Sequence, residues 1–95
     1  MKIITKPVVH SWDIEEEFGI RVFDCEFTQM AENDTYVSLC LNNDRIIDLW
    51  EDIKYYSEKG DGEAPFVLRL KNELELINKF RDMGYNDEIL VFVSW

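Results

Sequence analysis

Between Asp44 and Lys59 the chain carries Ile46, Ile47, Leu49, Trp50, Ile53 and Tyr56, an apolar set at the spacing of one helix face. This pattern constrains the fold more tightly than any other segment. Asn42, Asn43 and Asp44 supply a start signal, since Asn caps free backbone N–H groups and Asp complements the positive end of the helix dipole. Gly60 stops the helix. The stretch Gly60 to Pro65 then breaks both helix and strand and is read as a loop.

Around this helix the expected elements are mostly strands. Ile3 to Val9 is β-branched, and Gly19 to Phe27 is apolar with interspersed charges. The second segment has a parity conflict: Ile20 and Val22 share one face, while Phe23, Cys25 and Phe27 share the other. A bulge near Val22 and Phe23, or burial on both faces, would reconcile them. Tyr36 to Leu41 alternates cleanly, with Val37, Leu39 and Leu41 inward. Gln29 to Thr35 then serves as a polar hairpin connection.

Beyond the loop, Phe66 to Leu70 reads as a strand, and Asn72 with Glu75 resembles a capping box. Leu74, Ile77, Phe80 and Met83 form the apolar face of a shorter helix ending at Gly84. Ile89 to Trp95 is almost continuously apolar, which suits a central strand covered on both faces. The expectation is a single α+β domain over residues 1–95, in the order β-β-β-α-β-α-β. It comprises a mostly antiparallel sheet of about five strands with two helices packed on it. At 95 residues and 46% hydrophobic composition, one real core forms without staples.

Charge narrows the function classes. Twenty Asp and Glu against ten Lys and Arg give a formal charge of −10, which disfavours direct binding of nucleic acid or anionic lipid. No apolar run approaches the roughly 20 residues of a membrane helix. The segment Met1 to Pro7 has only a short apolar pair where a signal peptide needs an apolar block. A cytoplasmic protein is expected, with Cys25 and Cys40 as free thiols.

No chemistry-bearing motif emerges. His10 has no convincing catalytic partner, and two scattered cysteines with one histidine give no zinc spacing. The cluster Asp13, Glu15, Glu16 and Glu17 lacks the alternating ligands and glycine of a calcium loop. Neither cysteine has a flanking cation or helix amino terminus to activate it. No catalytic residue, metal or cofactor is assigned, and the expectation is a protein that is not an enzyme.

The negative charge is unevenly placed. Residues 1–63 hold fifteen acidic and six basic side chains, whereas residues 64–95 hold five and four. At about 100° per residue, the first helix sets Asp44, Asp48, Glu51, Asp52 and Glu58 opposite its apolar stripe, with Tyr55 among them. A solubilising face usually mixes Glu with Lys, but here Asp44, Asp48 and Asp52 repeat like charge at i,i+4. Trp12 stands beside the second cluster, Asp13 to Glu17, and both it and Tyr55 have the amphipathic character of interface anchors. These residues form the expected partner-binding set, and the partner they suit is a basic protein. Nucleases are natural candidates, because their clefts are built to hold phosphates.

In small size, acidity, α+β order and the run His10-Ser11-Trp12-Asp13-Ile14-Glu15-Glu16-Glu17-Phe18-Gly19, the chain resembles the immunity proteins of bacterial toxin systems such as contact-dependent growth inhibition. That resemblance implies stoichiometric neutralisation of a cognate toxin domain inside the producing cell. Two alternatives stand beside it. One is a phage- or plasmid-encoded nucleic-acid mimic that blocks a host defence protein. The other is a small enzyme or ligand-binding domain whose site forms only in three dimensions. An apolar edge strand would also allow a homodimer.

Overall fold

The computed structural model describes residues 7–29 and 35–93. Within them the chain runs β1 (Val8–His10), α1 (Ser11–Phe18), two 3-10 turns (Val22–Asp24 and Glu26–Thr28), β2 (Tyr36–Cys40), α2 (Asn43–Glu58), α3 (Pro65–Asp82) and β3 (Glu88–Phe92). The sheet therefore has three strands in the order β1-β3-β2, with three helices, and not five strands with two. It is also mixed. β1 runs parallel to β3 with Val9 opposite Val91, and β2 runs antiparallel with Val37 opposite Val91.

Three expectations fail, each for a physical reason. Gly19 to Phe27 is not a strand. Its parity conflict is resolved by a period near three, which buries Val22, Cys25 and Thr28 through successive 3-10 turns. The Thr28 hydroxyl locks these turns by donating to the Val22 and Cys25 carbonyls at 2.6 and 3.0 Å.

Phe66 to Leu70 is not a strand either. Pro65 occupies the first turn of α3, where its missing N–H costs nothing, and the helix runs through to Asp82. Val67, Leu70, Leu74 and Ile77 are buried at helix spacing. Asn72 consequently lies inside the helix and starts nothing; its Nδ2 donates to the Asp24 carbonyl at 3.0 Å, tying α3 to the first 3-10 turn.

The third failure is α1, which forms where no element was expected. His10 caps it, accepting the Trp12 N–H on Nδ1 at 3.1 Å, and Gly19 at φ 69° ends it with its N–H on the Glu15 carbonyl. Only Ser11 and Ile14 of its eight residues are buried, so one turn's worth of apolar signal was available to the sequence reading.

Other parts follow the pattern read from the sequence. Asn42 caps α2 through Oδ1, which accepts the Arg45 N–H at 3.0 Å. In β2, Val37 and Leu39 face inward, and Leu41 beyond it is buried. β3 is the central strand, but only Ile89 and Val91 on its inner side are buried, while Leu90 and Phe92 are half-buried. It is therefore not covered equally on both faces. The expected strand at Ile3 to Val9 survives as Val8–His10; its first residues, residues 30–34 of the expected hairpin connection, and Trp95 lie outside the described residues.

One hydrophobic cluster joins the inner face of the sheet to α3, with Leu49 and Ile53 of α2, Ile14 of α1 and Cys25 of the 3-10 segment. α3 lies at its centre. α2 packs chiefly on α3, so the pair forms a helical hairpin with one flank of α2 turned away from the sheet.

Candidate functional site

The acidic residues expected to bind a partner are all exposed, but on different elements. Asp13, Glu15, Glu16 and Glu17 sit on α1, and Asp44, Asp48, Glu51, Asp52 and Glu58 sit on α2. α1 packs on β1 and the first 3-10 turn, whereas α2 packs on α3.

On α1, Asp13, Glu16 and Glu17 rim a cavity of about 440 Å³ whose floor includes Ile14, Phe18, Phe80 and Tyr85. Glu15 points elsewhere, 3.9 Å from Arg21 Nε. Trp12 is 68% exposed. Its ring stands 5.1 Å from His10, which continues a row of aromatic rings through Phe92 to Tyr36 across the outer face of the sheet. Trp12 thus belongs as much to the sheet as to the acidic cluster.

On α2, no cation lies within ion-pairing distance of Asp44, Asp48, Glu51, Asp52 or Glu58 among the described residues. The ion pairs among the described residues are Arg21–Glu15, Arg45–Glu73 and Arg69–Glu26, and none includes a carboxylate of this face, although Arg45 also feels the charge of Asp48. Tyr55 is exposed, with Lys59 Nζ 4.5 Å above its ring and Tyr56 packed edge-on at 5.1 Å. The Lys59 ammonium gives the end of the face one local counter-charge.

Two residues expected in the core stand on the surface instead. Trp50 is 57% exposed and Ile47 is 52% exposed. The signal was present in the helix geometry. Leu49, Ile53, Ile46 and Tyr56 cluster within one narrow sector, from which Trp50 is displaced by about 80° and Ile47 by about 140°. An apolar set of six was wider than the single stripe that α3 covers. Beside Trp50 lies a cavity of about 320 Å³ bounded by Ile53, Lys71, Leu74, Glu75 and Asn78, and a second of about 310 Å³ bounded by Glu51, Ile53 and Lys54. Trp50 and Ile47, exposed with Lys54 between them at the edge of the acidic face, make this flank of α2 the candidate site.

Because Trp50 is largely in water, Trp50→Ala is expected to change stability by about 1 kcal/mol or less, while Ile53→Ala, in the buried sector, costs about 2–4 kcal/mol. Urea melts of the two variants check the assignment.

The cysteines are free, with Cys25 fully buried and Cys40 half-buried. Burial, reinforced by Glu73, Asp24 and Glu75, pushes the Cys25 thiol up from 9.0 to about 12. A thiol held this firmly protonated is a packing group and a poor nucleophile. Between about pH 9 and pH 12 the unfolded chain releases a proton that the native state retains. Stability therefore falls as pH rises, by up to about 1.4 kcal/mol per unit from this group. Comparing urea midpoints at neutral and alkaline pH for the wild type and Cys25→Ala, whose slope should be shallower, measures the contribution.

No group of three or more His, Cys, Asp or Glu side chains among the described residues is arranged to hold a metal ion. Among the same residues, no helix is long and apolar enough to cross a membrane. No family model matches the chain, and neither the curated proteins nor the solved structures give a match.

Proposed function

We propose that this domain is a protein-binding inhibitor that docks a basic partner on the exposed flank of α2. The observation that carries this reading is the pair Trp50 and Ile47, both more than half exposed with Lys54 between them, along the edge of the α2 face that carries Asp44, Asp48, Glu51 and Glu58, none of them in an ion pair within 4.0 Å among the described residues. Apolar anchors supply the contacts that lose water, and a charged border sets encounter rate and orientation. Carboxylates here are in excess even locally: α2 carries five against Arg45 and Lys54, and Arg45 is engaged by Glu73. A cationic cleft shaped for phosphates is a natural counterpart, so the partner is a nucleic-acid-processing enzyme and the outcome of docking is occlusion of its cleft. The immunity role inside a toxin-producing cell is the specific form of this proposal.

The test uses the wild-type protein and a variant with Asp48, Glu51 and Asp52 changed to Lys as paired baits at low salt. The expected result is stoichiometric capture of one basic protein by the wild type alone. Nuclease activity of that protein should titrate to zero at one equivalent of the wild type. Charge reversal should slow association about tenfold or more, with the difference shrinking as salt rises. Equal capture by both baits, or a captured protein that keeps its activity, overturns the proposal.

A further inference from the structure

Away from α2, the cavity of about 440 Å³ lies between α1, β1 and the carboxyl end of α3. Its apolar walls are Val9, Ile14, Phe18, Phe80, Met83 and Tyr85. The way α3 ends brings the last three together. Gly84, at φ 102°, reverses the chain. The Tyr85 N–H then donates to the Phe80 carbonyl at 3.2 Å, and the Gly84 N–H to the Arg81 carbonyl at 3.0 Å. This closure folds the Tyr85 ring edge-on to Phe80 at 5.8 Å, while Phe18 meets Phe80 from α1 at 5.3 Å. Three rings that hold one another in place thus line a preformed socket.

Helix geometry sets the charge at its mouth. Asp13 and Glu17 are one turn apart on α1, about 100° and 60° round the helix from buried Ile14. Both lie on the cavity side, whereas Trp12 and Glu15 occupy the other flank, beside Arg21. Glu16, about 160° from Ile14, reaches only the outer edge. Neither Asp13 nor Glu17 has a hydrogen-bonding or ion-pairing partner among the described residues. The nearby cation is Lys79, whose Nζ stands 5.8 Å over the Phe18 ring and in no ion pair among those residues. One ring of the socket therefore already faces an ammonium group. The acids are not grouped to hold a metal ion, so the cation this arrangement suits carries a hydrocarbon body.

We infer that the α1–α3 cavity binds a small arylalkylammonium, with its apolar body against Phe18, Phe80 and Tyr85 and its charged head between Asp13 and Glu17. Burial of the body displaces water from the rings, and the head gains charge-assisted hydrogen bonds at the mouth. A free amine matches the space better than the side chain of a partner's lysine. The volume falls in the range of small-molecule sites, and a four-methylene stem would leave most of it wet. No residue of α2 lines this cavity, so the inference is independent of the docking face proposed above.

The test titrates the intact protein with phenylpropylammonium, followed by amide NMR shifts and calorimetry. Three comparison ligands separate the contributions: methylammonium lacks the body, phenylpropanoate reverses the charge, and acetyl-lysine amide represents a partner's side chain. Phenylpropylammonium should bind with a dissociation constant on the order of 1 mM or tighter, about tenfold or more below the other three. Shifts should centre on the residues that line the cavity. The double variant Asp13→Asn with Glu17→Gln should weaken binding about tenfold, and Asp48→Asn on α2 should leave it unchanged. Lys79→Gln removes a competing charge and should tighten binding about twofold. Thermal melts confirm that these surface variants remain folded.

Equal binding by phenylpropanoate overturns the cationic occupant, and equal binding by methylammonium overturns the role of the rings. Equal or tighter binding by acetyl-lysine amide makes a partner's side chain the occupant and overturns the free amine. Binding that survives the double substitution, shifts centred elsewhere, or no binding at all overturns the site. Each of these outcomes leaves the α2 docking face standing, because capture of a basic partner tests that face alone.

Discussion

Arg45→Ala is expected to be among the most damaging single substitutions in this protein, at about 3–5 kcal/mol. Glu73 is only 1% exposed, and its Oε2 accepts from both Nε and Nη2 of Arg45 at 2.7 Å. The Glu73 hydrogen bond in turn raises the Arg45 guanidinium above its already high ordinary value. Removing the guanidinium strands a carboxylate in the interior, with Oε1 already lacking a partner among the described residues. The reverse substitution, Glu73→Ala, is expected to cost less. Arg45 is about one-third exposed and can turn to water once its partner is gone. Replacing both together with apolar residues of similar volume should recover most of the loss, since neither charge then remains unpaired. A double-mutant cycle in urea, with all four proteins at one pH, reads out this asymmetry.

Phe80→Ala is the second large effect, expected at about 3–5 kcal/mol. Phe80 is buried near the carboxyl end of α3, where its ring meets Phe18 edge-on at 5.3 Å and Tyr85 at 5.8 Å. Through Phe18 it anchors α1 to the rest of the core. Truncation removes both aromatic contacts and enlarges the cavity already present between α1 and α3. Against a total stability of about 5–15 kcal/mol for a domain of this kind, either substitution could leave the protein partly unfolded at ambient temperature. Denaturant midpoints measure the loss. A cost near that of the surface change Trp50→Ala would place Phe80 outside the essential packing.

The contrast between Phe80 and Trp50 shows where the sequence was legible. Signals confined to one element were read correctly: Asn42 as a cap, Gly60 beyond a helix end, and the alternation of Val37 and Leu39. Signals that depend on neighbours were not. Phe66 to Leu70 is short and apolar, so period two and period 3.6 describe it about equally well. The capping pattern at Asn72 masks its continuity with Leu74 and Ile77. That asparagine serves a tertiary contact to Asp24 instead. The candidate site was legible in its charge, which faces solvent on α2 as expected, but not in its anchors. Assigning Trp50 and Ile47 to the core presumed that α2 is covered on a wide front. It is covered mainly by α3, and that arrangement is set by residues far along the chain.

The central place of β3 has a consequence for how the protein is made. Among the described residues both other strands pair only with β3, which follows them in the chain and is separated from β2 by the whole helical hairpin. No sheet can assemble on a nascent chain until Glu88 to Phe92 have been synthesised, although α2 and α3 need only each other to associate. During translation the hairpin must therefore wait without the strands that share its hydrophobic cluster, and this interval is when the polypeptide is most open to proteases and to chaperone capture.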